Sequence, residues 1–284
     1  MNRFINNTYY FQKSSMFKAD EYHSNHSLQV RDTSTLLQKF KSQIKWSSGQ
    51  KIIDVGCGPG DVTYEYLLPL IPDDAELLAV DMCENMINVA KSNYPDARLK
   101  FDVANLVKSK DIDKYESSFD TMFSFYCLNW IPDQQTALKN MYSMLKPGGE
   151  ILFSLLVYCP HWPLHEIFAS SPKWSSYMKN YRDYISPYHF SDDPLSEIRN
   201  SLRGVGFHIE HSSLTWKSFT FPSKSIFYRW CNTANTVSKN IPPCLLEEYD
   251  YEVKKTLWRK KLCILTETGQ VIYKYSVIEV FAHK

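Results

Sequence analysis

The chain has no run of one charge. Its 32 basic residues stand against 31 acidic ones, for a net charge of +1 at pH 7, and neither sign gathers into a tract or tail. Such a surface has nothing with which to follow a phosphate backbone or an anionic bilayer, so neither nucleic acid nor membrane is an expected partner. The seven cysteines include no CxxC pair and are odd in number, which reads as buried thiols of a reducing compartment. Long apolar runs are also missing. The opening stretch MNRFINNTYYFQKSS holds no apolar h-region, and the strongest apolar stretch, ILFSLLVYC, is far too short to span a bilayer. A cytoplasmic location is the expectation. There are no internal repeats and no low-complexity linker, so residues 1–284 are expected to form one domain, with 1–18 as a flexible extension ahead of it.

What the chain does have is rings. Tyr, Phe and Trp make up 15% of it, enough to fill a core and also to line an apolar pocket, with core filling the expectation for most. From 51 to 157 short β-rich runs alternate with helical patterns: KIIDV, then DVTYEYLLPLI; ELLAVDM, then CENMINVAKSNY with Met86, Val89 and Ala90 on one face; RLKFDVA; FDTMFSFYCL, then DQQTALKNMYSML; the stop signal KPGG; and EILFSLLV. Runs buried on both faces between amphipathic helices predict an α/β, doubly wound, mostly parallel sheet. PLSEIRNSLRGVGF reads as a helix closed by glycine, and FHIEHSSLTWKSF and QVIYKYSVIEVFAHK complete seven strands. Residues 158–195 and 223–262 read as helical lid insertions over the edge where open α/β sheets bind ligands.

The stretch KIIDVGCGPGDVT packs Gly56, Gly58 and Gly60 between a strand and a helix, with Asp54 just before them. Such a loop brings bare backbone N–H groups against a ligand. A dinucleotide loop would read GxGxxG, and Asp61 stands where its third glycine belongs, which disfavours a nicotinamide-dependent oxidoreductase. Asp81 ends the second strand, placed to accept from both hydroxyls of a ribose.

Through DVGCGPG, VDMCENM and LKPGGEILF the chain resembles class I S-adenosylmethionine-dependent methyltransferases, a Rossmann-like family. The resemblance implies S-adenosylmethionine as cofactor, Gly56 near its methionine part, Asp81 on the ribose, Met82 against the adenine, and Asn105 at the adenine amino group, with Asp102 as fallback. Asp54, Gly58, Gly60 and Phe125 join the implied cofactor set. The segments ADEYHSNHSLQVRD, SFYCLNW and KWSSYMKNYRDYISPYHFSDDP resemble, more narrowly, the juvenile hormone acid O-methyltransferases of arthropods, from about residue 19 to the C-terminus. That implies methylation of a sesquiterpenoid acid, farnesoic acid or juvenile hormone acid, with Gln29 and Trp130 hydrogen-bonding its carboxylate. Asn129 replaces a usual His and His26 a frequent Asn, departures that bear on the substrate more than on the reaction. No NPPY-like motif marks an N-methyltransferase.

A carboxylate is already ionised at pH 7 and needs no general base. Neutral donors such as Gln29 and Trp130 align it without blunting it. A trans-aconitate-type enzyme would need converging cations, for which Arg182, Arg199 and Arg229 are scattered candidates; a catalytically inactive cofactor-binding regulator is the other alternative. No metal is expected: His161 and His165 stand four apart, but Pro163 between them is expected to break the helix a zinc pair requires, and no HExxH follows. His189 and Cys57 read as packing residues.

Overall fold

The computed structural model describes residues 22–234 and 236–284, so the extension expected over 1–18 lies outside the described residues. Five strands carry the parallel core: β1 (Lys51–Val55), β2 (Glu76–Asp81), β3 (Leu99–Val103), β4 (Phe119–Phe125) and β5 (Leu145–Tyr158). With β6 (His208–Phe221) and β8 (Val271–His283) they form a sheet in the order β3-β2-β1-β4-β5-β8-β6, in which β8 runs antiparallel to both neighbours. A two-residue strand, β7 (Ile264–Leu265), pairs with β8 and makes an eighth strand beyond the seven expected.

Helices cover both faces because alternate residues of the central strands point opposite ways. Ile53 and Met122 join one apolar core with Leu138 and Met141 of α3 (Gln134–Met144) and Leu202 of α5 (Pro194–Val205). Ile52 and Phe123 join the other with Leu37 and Phe40 of α1 (Ser27–Phe40) and Ile87 of α2 (Glu84–Asn93). A third core gathers α4 (Trp162–Ala169), α6 (Lys224–Ala234) and α7 (Leu246–Arg259) around Trp162, Trp174, Trp230 and Tyr249. It reaches Tyr126 beside β4 and Val271 to Val277 of β8, at the end of the sheet where the parallel strands stop.

Four local expectations change. After the glycine turn the chain forms a π-turn over Thr63–Leu67 and a 3-10 turn over Leu68–Leu70, because Pro69 has no N–H and its ring crowds the carbonyl of Glu65. Ile87, not Val89, joins Met86 and Ala90 in the core face of α2. Strand β5 starts at Leu145, before the glycines, and its pairing with β4 shifts register between Phe119 and Thr121. Pro163 does not break a helix: it sits in the first turn of α4, where a missing N–H costs nothing.

Helix α3 starts at Asp133, whose carboxylate accepts from Thr136 N at 3.0 Å. Asp133→Ala is expected to cost about 1 kcal/mol of stability and to lower Tm by about 2–4 °C, as read by thermal unfolding.

Candidate active site

β1, β2 and β4 are parallel neighbours, so their C-terminal ends open onto one edge. There a cleft of about 920 Å³, open mouth included, is lined by Gly56, Gly58, Asp81, Met82, Asn105, Phe125 and Trp130 among others. A smaller cavity shares Gly56, Gly58, Phe125 and Tyr126 with it and adds Gln29, Asp54 and Asp61. Of the first-choice site residues, Gly60 alone lines neither.

The three glycines do different work. At Gly56 (φ +80°) a Cβ would lie 2.4 Å from both Cβ and Sγ of Cys127, so what comes close here is the chain's own turn after β4. A Cβ on Gly60 would meet Ala90 Cβ at 2.8 Å and the Phe101 ring at 2.9 Å. Gly60 therefore lets the turn pack against α2 and β3, the task of the third glycine in a dinucleotide loop, and does not face the ligand. At Gly58 a Cβ would make only an ordinary contact with the Tyr22 ring at 3.9 Å, but φ is +58°, and its N–H donates to Asp81 Oδ2 at 3.1 Å.

Asp81 also accepts from Cys83 N at 2.8 Å through Oδ1. Burial raises its pKa, and the backbone donors oppose that rise. Asp54 is pushed up to about 7 by burial, with the nearby Asp81 charge adding to the rise although Thr63 Oγ1 donates at 2.6 Å. Asn105 lines the cleft and accepts from Val107 N at 3.1 Å through Oδ1. The fallback Asp102 lies outside both cavities and is held by Lys114 Nζ at 2.8 Å and Tyr115 Oη at 2.9 Å.

Trp130 is half-buried in the large cleft, on a turn in which its N–H donates to Cys127 O at 2.9 Å. Gln29 opens onto the small cavity, and its Oε1 is buried without a hydrogen bond. The two thus line adjoining cavities separated by Phe125 and Tyr126, which border both. Asn129, next to the proposed donor, turns away: it is buried, and Oδ1 accepts from Leu156 N at 3.3 Å. His26 meets Asp61 Oδ2 through Nε2 at 2.6 Å and Tyr22 O through Nδ1 at 2.8 Å. A carbonyl can only accept, so Nδ1 carries the N–H of the contact to Tyr22.

Among the described residues no group of three or more His, Cys, Asp and Glu is arranged to hold a metal ion. His161 is buried with Nδ1 at 2.9 Å from Tyr273 Oη, and burial lowers its pKa to about 4. His189 packs among Tyr158, Trp162 and Phe190, and burial lowers its pKa too. Burial raises the Cys57 thiol well above its ordinary pKa, which suits packing and not nucleophilic attack.

A hub escaped the sequence reading. Asp32 Oδ2 accepts from Tyr126 Oη at 2.6 Å and Tyr275 Oη at 2.7 Å, and Oδ1 accepts from Arg31 Nε at 3.0 Å and Nη2 at 2.7 Å. Its two tyrosine partners are distant in sequence, and no spacing announces them.

A glycine turn closed by β4, an acid ending β2 and a cleft along the parallel edge define a class I S-adenosylmethionine-dependent methyltransferase. Residues 46–234 match the methyltransferase domain family. Juvenile hormone acid O-methyltransferase of Bombyx mori is 29% identical over 275 residues, covering 95% of this chain and 98% of that protein. Its Drosophila melanogaster counterpart is 32% identical over 201 residues, covering 69% and 67%. A solved structure from Bacillus halodurans C-125 overlays with TM-score 0.58 at 17% identity, over 89% of this chain and 99% of that one, which speaks for the fold alone. The chain belongs to the juvenile hormone acid O-methyltransferase family: it is an S-adenosylmethionine-dependent O-methyltransferase.

The residues fit that cofactor. Asp54 and Asp61, whose Oδ1 has no hydrogen bond among the described residues, give the small cavity acceptors suited to an ammonium group. A cation there favours the Asp54 carboxylate, so binding expels the proton that Asp54 holds below about 7. S-adenosylhomocysteine affinity, measured calorimetrically, is expected to tighten by up to about tenfold per unit as pH rises toward Asp54's pKa and to level off above it. Asp54→Asn should flatten the profile.

Proposed function

We propose that this enzyme converts the carboxylate of a sesquiterpenoid acid, farnesoic acid or juvenile hormone acid, to its methyl ester. The observation that carries this reading is the character of the two cavities: among the described residues neither is lined by Lys or Arg, while Trp130, whose indole N–H can only donate, stands beside Leu106 and Ile131 in the larger one. Arg199, a candidate for holding a polyacid, is bonded to Ser212 Oγ at 2.7 Å and Ser212 O at 3.0 Å, and Arg182 lies over the Phe190 ring. This speaks against a trans-aconitate-type acceptor. The names of the two insect relatives point the same way.

In this reading Asp81 receives the ribose, Met82 and Asn105 the adenine, and Asp54 and Asp61 the ammonium end. Bound cofactor supplies a methyl group on positively charged sulfur. The chain's work is to bring the acid's oxygen into line with that methyl and to exclude water, for which effective molarities of roughly 10⁵ M or more are available. Trp130 Nε1 donates to the carboxylate. Gln29 does so through its amide nitrogen, since rotation of the amide exchanges Oε1 and Nε2. The segments 158–195 and 223–262 act as the lid. Most of their rings pack on one another, so the tail's nearest walls are Leu106, Tyr126 and Ile131. A terpenoid tail gains about 0.8 kcal/mol per buried CH₂.

The test is methyl transfer from radiolabelled S-adenosylmethionine to farnesoic acid, juvenile hormone acid, lauric acid and trans-aconitate in parallel. Ester on the isoprenoid acids alone is the expected result; no ester on any acid, with cofactor bound, would defeat the reading in favour of an inactive regulator. Trp130→Phe keeps a ring and deletes a donor, and should slow transfer by about 1.5–3 kcal/mol of barrier, read as kcat/KM.

A further inference from the structure

Tyr126 is the first residue beyond β4, and it has φ +54°. A bulky side chain is rarely held in the left-handed region unless its surroundings fix it there. Here they do. The Tyr126 N–H donates to Ser154 O at 2.9 Å, and the hydroxyl donates to Asp32 Oδ2 at 2.6 Å. Burial raises the phenol well above its ordinary pKa, and Asp32 is held below its own by the Tyr126 and Tyr275 hydroxyls with Lys217 and Arg31, against the pull of burial. The carboxylate is therefore a fixed acceptor and the hydroxyl a committed donor, unavailable as a base.

The position of this bond matters more than its strength. Asp32 lies on α1 one turn beyond Gln29 and is anchored from its other side, since Tyr275 of β8 also donates to it at 2.7 Å. Tyr126 is followed directly by Cys127, whose carbonyl accepts from Trp130 N at 2.9 Å to close the turn carrying the indole. Tyr126 borders both the cavity lined by Gln29 and the cleft lined by Trp130. We propose that Tyr126 is a positioning residue: its bond to Asp32 sets α1 against the end of β4 and so fixes the separation of Gln29 and Trp130, the two donors that share the acceptor's carboxylate. The proposal rests on the carboxylate reading above for its catalytic consequence, and on geometry alone for the tether.

Tyr126→Phe keeps the ring and loses the bond. Its kcat on the isoprenoid acid should fall roughly 10- to 100-fold with S-adenosylhomocysteine affinity nearly unchanged. In a Gln29→Ala background the same substitution should cost less than about threefold, because the positioned group is gone. An equal loss in both backgrounds, or no loss in either, overturns the positioning role. Hydrogen exchange of the apo protein tests the tether without turnover: Tyr126→Phe should speed amide exchange in α1 and in the Cys127–Trp130 turn while β2 and β3 stay as they are. Unchanged protection in α1 overturns the tether itself. Should wild-type enzyme esterify none of the acids, the carboxylate reading and the proposed catalytic role fall together, and the exchange result still decides the tether.

Discussion

Two turns of the chain meet at Gly56, and the active-site cleft depends on how closely they meet. With a Cβ there only 2.4 Å from Cys127, the turn after β1 and the turn after β4 leave no space for a side chain between them. The contact forces backbone and not side chains to line this part of the cleft, and it ties the cofactor-side loop to the segment that carries Phe125, Tyr126 and Trp130. Gly60 repeats the constraint on the far side, against Ala90 and Phe101. The glycine spacing is thus as much about chain packing against chain as about the ligand.

Where the cause is local, the sequence is easily read. Short apolar runs buried on both faces give the central strands, the Asp133 cap gives the start of α3, and Gly206, with φ +119° and Tyr142 close behind it, gives the end of α5. The cleft residues Asp81, Met82 and Asn105 follow from strand ends in a parallel sheet, whose edge is fixed once the order of strands is. Reading fails where the cause is a partner far along the chain. Asp32 meets Tyr126 across 94 positions and Tyr275 across 243, and nothing near Asp32 in the sequence distinguishes it from a solvated helix acid. Pro163 misled for a different reason: a proline stops a helix from its interior but starts one from its first turn, and the sequence did not say where α4 begins.

Asn129 shows how a residue can adjoin the reaction in sequence and leave it in space. It stands beside Trp130, yet its amide caps the Leu156 N–H in the core. A histidine at that position would have to supply an acceptor to the same strand, so exchange at this site acts first on how β5 meets the turn and only through that turn on the indole. His26, by contrast, itself lines the smaller cavity beside Asp61. Of the two departures from the family pattern, His26 lines one of the two cavities and Asn129 lines neither.

The charges of the site make sense only as half of a pair. Asp54, Asp61 and Asp81 border the two cavities, no Lys or Arg among the described residues lines either, and burial raises the pKa of both Asp54 and Asp81. Two unit charges 4 Å apart interact by about 4 kcal/mol at an effective dielectric constant of 20, so these acids repel one another and destabilise the cleft while it lacks a cation. A fixed lysine would relieve that repulsion, but it would also compete for the acceptor's carboxylate and hold it as an ion pair. A cofactor that carries its positive charge in with it relieves the repulsion only when bound. Once the methyl group has moved to the acceptor the sulfur is neutral, only the ammonium is left to balance these acids, and they would hold the product less tightly than the cofactor. On the proposed reading, neutral donors at the acceptor and acids at the cofactor are two parts of one electrostatic arrangement, in which the charge that is consumed is the one the protein does not supply.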